Sequence, residues 1–97
     1  MNTLDLEGRS AVVTGGSRGI GLATAVALRV AGADVLICGR SVDALASASS
    51  RIRAEPGAMN STVTTAVVDV RDSEQARRLV QTSVEQFGRL DFLINNA

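Results

Sequence analysis

Two hydrophobic rhythms alternate along the chain. Short apolar runs at Ser10–Thr14, Asp34–Cys38, Thr62–Val70 and Leu90–Asn95 predict strands, with Val and Thr prominent in the third. The segments between them carry apolar residues at helical spacing. From Arg18 to about Ala31 the pattern predicts a helix that is apolar nearly all round (Ile20, Leu22, Ala23, Val26, Ala27, Leu28, Val30). So little polar face implies cover on more than one side, and Gly32 ends the helix. Ser41 caps a second helix running to roughly Ala54. Its thin stripe (Val42, Leu45, Ala46, Ile52) and its small polar stretch Ser47-Ala48-Ser49-Ser50 predict a surface helix. Glu55-Pro56-Gly57 stops it, and a loop follows to about Ser61. Asp72 caps a third helix, with Gln75 as its capping-box partner. Ala76, Leu79, Val80, Ser83, Val84 and Phe87 form its apolar face, and Gly88 closes it. Ahead of all this, Leu4 to Arg9 reads as a lead-in with a turn at Gly8.

Strand and helix in strict alternation are βαβ units, which predict an α/β fold with a parallel sheet and right-handed crossovers. The expected order is 3-2-1-4, with helices flanking the sheet and a ligand crevice where the order reverses. Residues 1–97 allow one small domain.

The first strand breaks into Thr14-Gly15-Gly16-Ser17-Arg18-Gly19-Ile20-Gly21, which opens the first helix. Gly15 supplies a turn free of Cβ restrictions. Gly19 allows backbone to approach a pyrophosphate, and Gly21 allows the helix to pack tightly on its strand. Exposed N–H groups and the positive helix end make this an anion site. The spacing is G-x-x-x-G-x-G rather than the commoner G-x-G-x-x-G.

This stretch resembles the T-G-x-x-x-G-x-G motif of the short-chain dehydrogenase/reductase family. Asp69-Val70 and Asn95-Asn96-Ala97 resemble two further family motifs in the same order. The resemblance covers the whole chain. It implies a partial NAD(P)-binding Rossmann fold whose cofactor contacts come from Gly15, Ser17, Arg18, Gly19, Ile20 and Gly21. It also implies that the Asp69 side chain bonds the adenine amino group, helped by the Val70 backbone. Asn95 to Ala97 would lie along the adenosine ribose and buttress the sheet.

Cofactor choice turns on the end of the second strand. NAD-selective domains place an acid there, about 20 residues past the glycine turn, to hold the ribose 2′-hydroxyl. Here Gly39 and Arg40 stand at that point, while Asp34 is at the wrong end and Asp43 is already on the next helix. Arg40 can donate to a 2′-phosphate, and Arg18 in the glycine turn can reach the same group. A basic residue at both positions marks NADP preference in the family. NADP is therefore the expected cofactor and NAD the less favoured one.

Composition removes several functions. Ten arginines balance ten acids, so no basic excess suggests nucleic acid or an anionic membrane. There is no apolar run of membrane-spanning length and no signal-peptide pattern, so the expected location is the cytoplasm. Cys38, the single cysteine, is expected to be a buried, reduced thiol. With no histidine beside it, a conventional zinc site is excluded.

The chain also contains no lysine and no tyrosine. The family moves a hydride between nicotinamide and a carbonyl or alcohol, using a Tyr, a Lys and a Ser carried after the fourth strand. No residue here receives a catalytic role, and the expectation is the N-terminal, cofactor-binding part of such an oxidoreductase. An inactive nucleotide-binding or interaction module is the alternative, completed by a partner chain at the exposed edge of the fourth strand. Without a lysine, a P-loop NTPase is ruled out, and the missing acid after the second strand disfavours a methyltransferase.

Overall fold

Among residues 5–96, which the computed structural model describes, strands and helices alternate. They are β1 (Ser10–Thr14), α1 (Gly19–Val30), β2 (Asp34–Gly39), α2 (Val42–Arg53), β3 (Val63–Val67), α3 (Ser73–Phe87) and β4 (Phe92–Ile94). Leu4 of the lead-in and Ala97 of the last motif lie outside the described residues. The strands are parallel, in the order β3-β2-β1-β4. That is the expected 3-2-1-4 sheet of a Rossmann fold.

Period-two alternation sends neighbouring side chains of each strand to opposite faces. Val13, Val35, Ile37 and Val63 meet α1 and α2 through Ala25, Leu45, Ala48 and Ile52. Val12, Leu36 and Cys38 face the other way, onto Leu79 of α3, with Phe87 and Leu90 packed at the margin. Both faces of β1 and β2 are thus covered, and all five residues of β1 are buried. Fully burying each large aliphatic side chain here contributes roughly 1.5–3 kcal/mol.

Two strands are shorter than their apolar runs. β3 ends at Val67 because β2, its partner, ends at Gly39. Val68 N donates to Gly39 O at 2.8 Å as the last rung. The chain then turns, with Asp72 N donating to Asp69 O at 3.0 Å. β4 ends at Ile94 because the next amide, Asn96 N, donates to the Thr14 hydroxyl instead of a backbone carbonyl. At its start, β4 is clipped to β1 by Asp91, whose carboxylate accepts from Ser10 N at 2.9 Å and from Arg9 and Arg89.

The helices depart from their sequence patterns in how they face the core. α1 buries Gly21 and Ala25 but leaves Ile20 76% and Val30 54% exposed, so the described residues cover it on one side. In α2, Val42 and Ala46 are exposed, and the buried face is Leu45, Ala48, Ser49 and Ile52. Ala48 and Ser49 of the serine stretch belong to that face, where their size lets the helix lie close to the sheet, while Ser47 and Ser50 are exposed. α3 buries Leu79 and Ser83, whereas Val80 and Val84 are exposed.

The caps follow the sequence more closely. Ser41 Oγ accepts from Ala44 N at 3.1 Å, and Asp72 accepts from Glu74 N and Gln75 N. Gly88 closes α3 in the left-handed region. The predicted capping box is rewired, however. Gln75 does not return to the Asp72 amide; its Oε1 accepts from Asp69 N at 2.9 Å.

Candidate functional site

The β1–β2 ladder runs one rung past β1, with Gly15 N donating to Cys38 O at 3.0 Å. Gly15 (φ +62°) and Gly19 (φ +59°) then take left-handed conformations that turn the strand into α1. A Cβ on Gly21 would lie 2.1 Å from Gly15 O, so only glycine lets the first helical turn sit on this loop. A Cβ on Gly16 would meet Ile37 Cγ2 at 2.7 Å. Gly16 is thus a fourth required glycine, absent from the sequence-based site, and the doubled Gly15-Gly16 was its only signal.

The start of α1 is open. Its N-cap is Arg18, in extended backbone with no side-chain cap, and the first turn contains no acid. Its leading N–H groups therefore lack the usual side-chain acceptor. A Cβ on Gly19 would meet nothing within 4 Å. Arg18, Gly19 and Ile20 are exposed around this positive helix end, and Ser17 is half-buried inside the turn.

At the end of β4, the Thr14 hydroxyl accepts from Asn96 N at 2.9 Å and donates to Asn95 Oδ1 at 3.1 Å. The Asn96 side chain packs against the glycine turn, its Nδ2 2.8 Å from where a Gly21 Cβ would stand. Asn95 is exposed beside it. Thr14 and Asn96 tie the two strand ends together, which gives Asn96 its expected buttressing role and Thr14 one that sequence reasoning did not assign. The alignment of Thr14 with the family motif was the available signal.

The arginines sort cleanly. Arg9, Arg51, Arg71, Arg77, Arg78 and Arg89 form ion pairs with acids. Arg29 and Arg53 donate to the backbone carbonyls of Glu55, Ser61 and Val63. Arg18 and Arg40 alone have no ion-pair or hydrogen-bond partner among the described residues. They stand at the carboxyl ends of β1 and β2, on the same end of the sheet.

Asp69 follows β3 at that end. Both carboxylate oxygens are taken by Arg71, and this pairing holds the carboxyl down to about 2, with smaller help from the Arg40 charge. Val70 packs at the edge of the second core rather than lying open. Two surface hollows lie elsewhere. One is at the opposite end of the sheet, beside Glu7, Gly32 and Asn60, and the other is between β3 and α3. Neither contains a residue of the glycine turn. The turn lies on an open surface instead, because β4 is the last wall the described residues provide.

The residue set fits a dinucleotide on the chain's own features. It combines an uncapped helix start, a glycine turn with free space at Gly19, two unpartnered arginines and an ionised carboxylate. Among the described residues, no helix is long and apolar enough to cross a membrane, and no cluster of His, Cys, Asp or Glu is placed to hold a metal. Cys38 is buried and unpaired, and burial pushes its thiol up to about 11.

Comparison with known proteins gives a concordant picture. A family model described as short chain dehydrogenase matches residues 9–97. An oxidoreductase of Staphylococcus saprophyticus is 38% identical over 94 residues, covering 97% of this chain and 39% of its own length. The crystal structure of L-sorbose reductase from Gluconobacter frateurii, complexed with NADPH and L-sorbose, superposes with a TM-score of 0.87. It is 33% identical, and the match covers 99% of this chain and 35% of that one. A xylitol dehydrogenase bound to NAD+ gives a TM-score of 0.85 at 33% identity, covering 95% of this chain and 34% of its own. The chain thus spans little more than a third of the length of these three proteins.

Proposed function

The chain belongs to the short-chain dehydrogenase family, and from that membership we propose that it is the NADP-binding N-terminal portion of an oxidoreductase. The observation that carries the cofactor preference is the arginine inventory. Of ten arginines, the two whose side chains have no partner among the described residues are Arg18 and Arg40, which stand at the carboxyl ends of β1 and β2. No acid stands at the end of β2 to hold a 2′-hydroxyl instead, since Asp43 is already on α2. Each charge-assisted contact to a phosphate is worth roughly 1.5–3 kcal/mol.

In this assignment Gly15, Ser17, Gly19, Ile20 and Gly21 hold the pyrophosphate end, with the α1 N–H groups as donors. Asp69 and Val70 hold the adenine, and Asn95 to Ala97 line the ribose. The bound nicotinamide supplies hydride transfer to or from a carbonyl or alcohol carbon. The proton-transfer groups belong to polypeptide beyond these residues, since the chain has no Tyr, Lys or His. The cytoplasm is the proposed location, in keeping with a reduced, buried Cys38.

Direct titration with NADP and NAD tests the cofactor assignment. NADP is expected to bind at least about tenfold tighter, and equal affinities would overturn it. The intact mass of the native product tests the rest. A product that ends at Ala97 would favour the second reading, an inactive module completed by a partner chain. The outer edge of β4, unpaired among the described residues with Leu93 52% exposed, is the observation in its favour.

A further inference from the structure

Asp69 is fixed at every polar group it owns. Its N–H donates to Gln75 Oε1 at 2.9 Å, and its carbonyl accepts from Asp72 N at 3.0 Å. Its Oδ1 accepts from both Arg71 N and Arg71 Nε at 3.0 Å, and its Oδ2 accepts from Arg71 Nη2 at 2.9 Å. Stability does not explain this arrangement. The Arg71 side chain is 72% exposed, and surface ion pairs contribute little to folding.

A chemical consequence does follow. A carboxylate offers about four lone-pair sites, and Arg71 fills three of them. One acceptor site remains, on Oδ2, in a carboxylate that can neither rotate freely nor take up a proton near neutral pH. The ligand group this suits is an N–H donor. A carbonyl oxygen in the same place would set oxygen against oxygen.

We propose that Arg71 is a positioning residue: it locks the Asp69 carboxylate so that one Oδ2 lone pair selects the amino group of adenine over a carbonyl. The proposal rests on the cofactor assignment made above. It adds a residue that touches no part of the dinucleotide yet sets how strictly the base is read.

The test compares binding of NADP with that of its deaminated form, nicotinamide hypoxanthine dinucleotide phosphate, to the full native chain and its variants. The native protein should prefer NADP roughly tenfold or more. Arg71→Gln should cut that preference below about threefold without moving the unfolding midpoint, and Asp69→Ala should abolish it. Arg71→Lys keeps the charge but loses the planar fork, so it should fall between. It also carries the test if Arg71→Gln misfolds. A native preference kept in Arg71→Gln but lost in Asp69→Ala would overturn the positioning role and leave the cofactor site standing. A native protein that binds NADP without preference overturns this inference alone. One that binds neither dinucleotide overturns the proposed function with it.

Discussion

The Thr14 hydroxyl accepts the Asn96 amide at 2.9 Å, so the last residue of β1 holds the chain just past β4. The bond is buried on the threonine side and joins the two strands that flank the glycine turn. Thr14→Val keeps the shape but leaves Asn96 N without its acceptor. A loss of about 1–3 kcal/mol is expected in denaturant unfolding, whereas Thr14→Ser should retain most of the stability.

Gly21→Ala places a methyl group where Gly15 O already sits. The helix must move off the turn, at a cost of about 1–3 kcal/mol or more. Cofactor affinity should fall further than stability, because the displaced N–H groups are the proposed anion donors. Gly19→Ala meets no atom but demands a left-handed alanine, so it should cost only about 1 kcal/mol. Calorimetric unfolding with and without NADP separates the two effects.

Arg40→Asp should weaken NADP binding by tenfold or more while leaving NAD binding nearly unchanged or slightly improved. Parallel titrations of both cofactors check it. Equal losses would show that Arg40 makes no contact with the 2′-phosphate.

Acid stability should depend on Asp91. Hydrogen bonds from Arg89 and Ser10 N, and then from Arg9, hold its carboxyl down to about 2 against about 3.9 in an unfolded chain. A lowered native value means the contribution is complete above about pH 4 and is lost as pH falls through 2. Asp91→Asn should therefore lower stability at neutral pH and flatten, without erasing, the dependence between pH 4 and 2. Denaturation midpoints measured across that range decide it.

Much of this was legible in the sequence because it depends on local chemistry. Ser10–Thr14 is built on the apolar run Ala11-Val12-Val13, and it is the strand. Ser41, Asp72 and Gly88 cap the helices as their side chains or φ freedom dictate. What the sequence hid was set by partners. Thr62–Val70 reads as one long strand, but its length was decided by where β2 stops. Ala48 and Ser49 look like surface residues until the sheet is seen beneath them. Gln75 is a correct capping-box residue whose acceptor was claimed by Asp69. Within the site, Gly15, Gly19 and Gly21 were visible from spacing, whereas Gly16 is required only because Ile37 of β2 lies against it. That neighbour is remote in sequence, and no local pattern announces it.

The bond between Thr14 and Asn96 spans 82 residues of sequence. The β1, β2 and β3 register can form while the chain is still emerging from a ribosome, since those strands follow one another closely. The glycine turn, by contrast, gains its second wall only when β4 arrives and closes a loop of 82 residues. Closing so large a loop is slow compared with forming local helices. The wall beside the glycine turn is therefore completed late, at the moment β4 docks. A chain interrupted before β4 would keep most of its helices and leave the turn open on that side.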